Sequence, residues 1–218
     1  MNYSNGTSAY QASIIEQCAS LNIEIDTDTA NKLLFYVKLM HRWNRAYNLT
    51  AVKNIVSLIN KHIIDSLTIL PYLKNSTTML DVGTGAGLPG IPLAIVNPSL
   101  KVHLLDSNGK KICFLRQALV DLNIENVTVH KSRVESFINT TKYDYIVTRA
   151  FSSLNIFYEE TKHLATRDTL LIAMKGTYPS AEIEEINQIK HTINKIQLPN
   201  EIQRHIVTMS ANQQHQEQ

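Results

Sequence analysis

Asp81, Gly83, Gly85 and Gly87 stand at alternate positions in LDVGTGAGLPGIPLAIV, residues 80–96. The stretch supports two chemistries. Read from Gly85, GAGLPG fits the G-x-G-x-x-G dinucleotide fingerprint, in which a pyrophosphate rests on the N-terminus of the following helix. Read from Asp81, it is D-x-G-x-G-x-G, with a carboxylate at the strand's end. A carboxylate there has the wrong sign for phosphates. It suits a ligand with cationic groups, such as the ammonium and sulfonium of S-adenosylmethionine. Alternate glycines then clear side chains from where the methionine and ribose approach the backbone. Pro89 costs little near a helix start, where N–H groups have no intrahelical partner. Asp106 closes the next strand, HLLDS, where an acid about 20 residues after the turn holds ribose hydroxyls in either cofactor. A ligand-free turn with Asp106 as a cap is the remaining alternative.

Other polar residues fall around the same place in the chain. Arg149 ends the apolar run YDYIVTRA, and its fork suits a carboxylate or a phosphate. Arg133 and Lys175 end neighbouring strands and add positive potential. Glu135 follows the third strand, where it either accepts from an adenine amino group or is a solvated helix-start charge. Arg42 and Arg45 share a helix face, with Lys53, Lys61 and His62 downstream; together they read as an RNA-backbone patch or a solvated surface. Trp43 is a base-stacking candidate, although an amphipathic helix more often buries its only tryptophan. Asn48 and Asp65 read as ties between helices and domain.

The elements that position these residues follow from periodicity. Tyr10 to Thr68 reads as helical. Asp26, Thr27 and Asp28 are cap candidates, Leu33, Val37 and Met40 mark one apolar face, and VSLINKHIIDSLTILPYL is a second such segment, ended by Pro71. From Met79, strands alternate with helices: TMLDV, IPLAIV, KVHLLD, GKKICFLRQALVDL, NVTVH, YDYIVTRA, LNIFYEETKHLA and DTLLIAMKG. That alternation specifies a parallel sheet covered on both faces. HTINKIQLP and QRHIVTMS have no helix between them and predict an antiparallel pair at a sheet edge. The organisation expected is a helical segment over 1–75 packed on the core, a cofactor-binding domain over 76–210 and a polar tail over 211–218. The boundary falls in LKNSTT, Leu73 to Thr78.

Composition narrows the class. With 44% hydrophobic and 18% charged residues in 218, the chain can bury a core. Net charge +2 neither requires nor excludes a nucleic-acid partner. Cys18 and Cys113 form no metal-binding pattern. No apolar run reaches a membrane span, and the polar start lacks a signal-peptide profile. The expectation is a cytoplasmic monomer with no metal and no membrane partner.

HRWNRAYNLTAV (His41 to Val52), KHIIDSL (Lys61 to Leu67) and DVGTGAGLPGIPLAI (Asp81 to Ile95) together resemble the ribosomal small-subunit methyltransferase G family. LLDSNGKKICFLRQ, SRVESF, VTRAF and AMKG continue the likeness in order. It covers roughly Leu33 to Lys175. The resemblance implies the Rossmann-like S-adenosylmethionine-dependent methyltransferase fold: α/β, seven strands, mostly parallel, with an antiparallel C-terminal pair and N-terminal helices. It implies methylation of N7 of the guanine conventionally numbered 527 in 16S rRNA of the small ribosomal subunit, with S-adenosyl-L-methionine as donor. By motif, Gly83, Leu88, Val134, Glu135 and Arg149 would hold the cofactor, with Val134 and Glu135 at the adenine; the turn and the strand after it add Gly85, Gly87 and Asp106. Arg42, Arg45, Arg133, Arg149 and Lys175 would meet RNA. Guanine N7 carries a lone pair and no proton, so no catalytic acid or base is expected. Two departures stand out: Ser136 where a second acid is common, and a neutral Gln-rich end in place of a basic finish. Two other readings stay open: an RNA-binding assembly factor without catalysis, and a nicotinamide-dependent oxidoreductase.

Overall fold

The computed structural model describes residues 3–74, 77–149, 151, 153–199 and 203–211. Helix α1 (Tyr3–Ser20) packs on α2 (Thr27–Tyr47). Asp26 caps α2 by accepting from the Thr29 N–H at 2.7 Å. Asn48 ends it in the left-handed conformation at φ 49°, a conformation Asn tolerates better than most residues. Next come α3 (Ile55–Leu58), a π-helical stretch (Ile59–Ile64) and α4 (Asp65–Leu67). The second helical segment read from the sequence, VSLINKHIIDSLTILPYL, thus holds a π-helical stretch between two short α-helical pieces.

The sheet strands are β1 (Thr78–Val82), β2 (Lys101–Asp106), β3 (Val127–Lys131), β4 (Tyr143–Thr148), β5 (Ala165–Lys175), β6 (His191–Gln197) and β7 (Gln203–Ser210). Helices α5 (Gly90–Val96), α6 (Gly109–Leu122), α7 (Leu154–Thr161) and the short α8 (Ser180–Glu185) lie between strands. The spatial order is β3-β2-β1-β4-β5-β7-β6. β7 runs antiparallel to both β5 and β6, and the other pairings are parallel. The expected C-terminal pair is present, with one refinement. β7 inserts beside β5, leaving β6 at the edge. The burial patterns explain this. β7 is buried from His205 to Met209, whereas β6 has no buried position and runs between half-buried and exposed ones, as an edge strand does.

Alternation along each strand divides the core. Met79, Val102, Leu104, Tyr145, Val147, Ile172, Met174 and Ile206 face one cluster, shared with Leu33, Tyr36, Val37, Met40, Ile63 and Ile64 of the N-terminal helices. Leu80, Val82, Leu105, Ile146, Leu171, Ala173, Val207 and Met209 face the other, with Phe157 and Tyr158 of α7. The N-terminal helices therefore cover one sheet face and share its core. Asn75 and Ser76, within the expected boundary, and 212–218 of the expected tail lie outside the described residues. No helix among the described residues is long and apolar enough to cross a membrane.

Candidate active site

The chain order reverses between β1 and β4, so a crevice opens at the carboxyl ends of the strands there, the usual ligand position in open α/β sheets. A cleft of about 400 Å³ occupies it. Val82 ends β1 in this cleft and Gly83 follows it, Asp106 ends β2, Arg133, Val134 and Glu135 follow β3, and Phe151 closes the other side.

The three glycines of the turn do different work. Gly83 has φ +70°, and a Cβ built there meets nothing nearer than the Phe151 ring at 4.0 Å. Its side-chain space is cleft. Gly87 has φ +89°, and a Cβ there would stand 2.5 Å from Ile91 and 2.9 Å from Leu115. That glycine is required by packing against α5 and α6. The Gly85 N–H donates to Asp106 Oδ2 at 2.9 Å. Gly83 and Thr84 N–H groups both donate to the Leu105 carbonyl, at 2.9 and 3.1 Å, stitching the turn to the end of β2.

Asp106 is buried at the cleft wall. Its Oδ1 accepts from the Asn108 N–H at 2.8 Å, and Lys111 Nζ stands 3.6 Å from Oδ2. Each oxygen keeps a lone pair for a ligand hydroxyl. Val134 is buried in the 3-10 turn Val134–Ser136, while Glu135 beside it is exposed to the cleft.

Asp81 corrects the sequence reading. Alternation along β1 puts its side chain on the α5 face, opposite Val82, at 0% exposure. Oδ2 accepts from Thr84 Oγ1 at 2.6 Å and from the Gly90 N–H at 2.8 Å, and Oδ1 has no partner. Asp81 is absent from the cleft lining. It braces the turn from beneath and ties it to the start of α5. Burial pushes its carboxyl up to about 6, against the lowering effect of those two bonds.

The remaining expected residues separate into groups. Gly83, Asp106, Arg133, Val134 and Glu135 line the cleft together. Leu88 is buried, and neither it nor Gly85, Gly87 or Arg149 is part of the lining. Arg149 lines a second cavity of about 300 Å³ with Val52, Lys61, His62, Asp65, Met174, Gly176 and Arg204. The parity of β4 explains the separation. Arg149 continues the face of Tyr145 and Val147, toward the N-terminal helices. Its Nη1 donates to Asp65 Oδ2 at 3.3 Å, and Arg204 Nε donates to Asp65 Oδ1 at 2.6 Å. Asp65 thereby ties the helical segment to β4 and β7.

His62 is buried, with Nε2 2.7 Å from Thr50 Oγ1. Burial, helped by the Arg149 charge, pushes its imidazole down to about 4. It is a neutral interior group, which removes it from the expected basic patch. Lys175 Nζ pairs with Glu182 at 2.7 Å, so its charge is matched by a carboxylate on α8, a helix the periodicity did not reveal. Arg42 and Arg45 are exposed on α2. Arg42 stands 4.0 Å from Asp121, and neither arginine lines the cleft or the second cavity. Trp43 is half-buried, edge-on to Phe114 at 5.6 Å and tilted on Tyr47 at 4.9 Å. Tyr36, on α2, donates its hydroxyl to the Ala86 carbonyl of the glycine turn. Sequence reasoning missed Arg204 and Tyr36. The first lies on a strand read only as an edge, and the second reads as one more apolar position.

Strand order, glycine turn and the two acids define the class: this is the fold of the S-adenosylmethionine-dependent methyltransferases. Solved structures agree at the level of fold. A SAM-dependent methyltransferase from Aquifex aeolicus matches with a TM-score of 0.55 at 22% identity, over 71% of this chain and 93% of that one. TrmK from M. capricolum, in complex with S-adenosyl-homocysteine, matches at 0.54 and 16% identity over 68% of each. The family model for rRNA small subunit methyltransferase G matches residues 29–215, and the chain belongs to that family. Ribosomal RNA small subunit methyltransferase G of Pseudomonas aeruginosa (strain LESB58) is 46% identical over 163 residues, 75% of this chain and 76% of that protein. The Neisseria gonorrhoeae (strain NCCP11945) protein of the same name is 40% identical over 195 residues, 88% and 94% of the two.

Proposed function

We propose that the protein methylates N7 of the guanine conventionally numbered 527 in 16S rRNA of the small ribosomal subunit, using S-adenosyl-L-methionine. The observation that carries this is the cleft at the β1/β4 crevice, with an open Gly83 and a fixed Asp106, in a chain of this family. The residues fit the cofactor. Asp106 offers two carboxylate oxygens to vicinal hydroxyls, Val134 offers an apolar wall and Glu135 an acceptor for an exocyclic amino group. The bare backbone at Gly83 admits the methionine portion.

When bound, the cofactor supplies a methyl carbon on a sulfonium. Passed to a guanine N7 lone pair, that methyl would leave a neutral thioether in the cleft and the positive charge on the guanine. No proton moves at N7. The described cleft lining contains neither His nor Cys, which suits such a reaction. The chain's task is to orient and to exclude water, and orientation by itself supplies about 7–11 kcal/mol. Asp106 and Glu135 anchor one end of the cofactor, and Phe151 shields the opposite side. The protein acts as a monomer on this reading. The intact turn, with Asp106 and Glu135 in the cleft, weighs against an assembly factor without catalysis.

The test is transfer of labelled methyl groups to purified, undermethylated small subunits, followed by mapping of the modified nucleotide. Label on a single guanine at that position is expected. No transfer, or label on another position, would overturn the proposal.

A further inference from the structure

The second cavity is a built positive site, and of the residues expected to hold the cofactor only Arg149 lies in it. It opens at the carboxyl ends of β4 and β5, beside the cleft but with none of the cleft's lining residues. Its walls come from strand parity: Arg149 after β4, Met174 on β5 and Arg204 on β7 project to the same face. The opposite wall is the π-helical stretch and the residue after it, which bring Lys61, His62 and Asp65 to one side. π-helical turns are rare and concentrate at functional sites.

The charges do not balance. Asp65 is 2% exposed and spends both oxygens on the two guanidinium groups. One carboxylate thus holds two arginines that would otherwise repel each other. With exposed Lys61 and neutral His62, three cations face one anion, a surplus of two positive charges. Fixed guanidinium forks with spare N–H groups form a preorganised receptor for a tetrahedral or planar anion.

We propose that the Lys61–Arg149–Arg204 cavity seats an RNA phosphate next to the methyl-accepting nucleotide. The inference rests on the proposed function and deepens it. A cofactor carboxylate is the other anion of suitable chemistry. The geometry favours RNA, because Asp106, Glu135 and the open Gly83 all line the cleft at the ends of β1 to β3, and this cavity, over β4, β5 and β7, shares none of that lining. A phosphate held there would draw the strand across the mouth and leave the attached base free to enter the crevice.

The test uses the full-length protein with purified small subunits, in wild type, Arg204→Gln, Arg204→Lys and Lys61→Gln. Steady-state methyl transfer is measured over a range of salt, with calorimetric affinity for S-adenosylmethionine and thermal melts alongside. Arg204→Gln should raise KM for subunits about tenfold, the loss of one charge-assisted contact. It should also flatten the plot of log KM against log salt by about 0.7, one phosphate's share on a single strand. Cofactor affinity should not change. Arg204→Lys should restore the salt slope but only part of KM. Lys61→Gln, on an exposed side chain that no folding contact requires, should flatten the slope by itself, so the proposal stays falsifiable if Arg204→Gln melts early. Unchanged KM and slope in Lys61→Gln, together with an unchanged KM in Arg204→Lys, would overturn the receptor. Weakened cofactor binding with unchanged subunit KM would assign the cavity to the cofactor carboxylate. A wild type that transfers no methyl group would instead sink the proposed function.

Discussion

Gly83 and Gly87 lie four residues apart in one motif, yet their replacement should fail in different ways. Gly83→Ala must hold a side chain at φ +70°, which costs about 1–2 kcal/mol. Its new methyl meets only Phe151 at 4.0 Å, so no packing cost is added. Gly87→Ala carries a similar backbone strain at φ +89°, and its methyl also collides with Ile91 at 2.5 Å and Leu115 at 2.9 Å. Overpacking adds about 1–3 kcal/mol, giving roughly 2–5 kcal/mol in total. Urea melts should rank Gly87→Ala clearly below Gly83→Ala, both cooperative. Calorimetric titration with S-adenosylmethionine should then separate them again. Gly83→Val, whose branched side chain fills the cleft, should bind no cofactor although folded. Folded Gly87→Ala should bind with affinity close to wild type. If Gly83→Val binds normally, the cleft is not the cofactor site. If Gly87→Ala is as stable as Gly83→Ala, the division of labour within the motif is wrong.

Asp65→Ala should lower stability by about 1.5–3 kcal/mol, the scale of hydrogen bonds to charged groups, because the buried carboxylate is what holds the two half-buried arginines together; an unfolding free energy within about 1 kcal/mol of wild type, the scale of one exposed pair, would remove Asp65 as the tie between helices and sheet. Glu135→Gln should weaken binding of S-adenosylhomocysteine about tenfold. It should leave the analogue with a 6-oxo group in place of the adenine amino group unaffected; equal losses for both would refute the adenine contact. Two buried groups should give opposing pH slopes. His62, held down at about 4, favours folding fully above its ordinary value near 6.5 and loses that contribution as pH falls toward 4. Asp81, held up at about 6, penalises folding above pH 6 and relieves it as pH falls toward 3.8. Each amounts to something on the order of 3 kcal/mol, so they offset in wild type. Stability measured from pH 7 to 4 should therefore rise on acidification in His62→Gln relative to wild type and fall in Asp81→Asn; parallel curves for all three would refute the assignment.

The alternating apolar pattern from Met79 onward was legible because strand and helix periods differ, and several of the runs meet Gly, Pro or Asn at their ends. β1 to β5, α5 and α6 lie where that pattern puts them, and so does the antiparallel pair. Three features were not legible. The insertion of β7 between β5 and β6 depends on which strand can be buried on both faces. Helix α8 is six residues long and has no buried face to impose a period. The π-helical turn differs from an α-helix only in hydrogen-bond spacing.

What the sequence by itself determined was the family, the glycine turn, and the set of acids and glycines a cofactor needs, because local chemistry and local spacing specify those. Only the tertiary structure decided where each charge points. Side chains alternate along a strand, so Asp81 went beneath the turn while Val82 met the cleft, and Arg149 turned to Asp65 instead of the cleft. Arg204 reached the same carboxylate from 139 residues away along the chain. A site assembled from such distant segments depends on strand order and register, which no local spacing records.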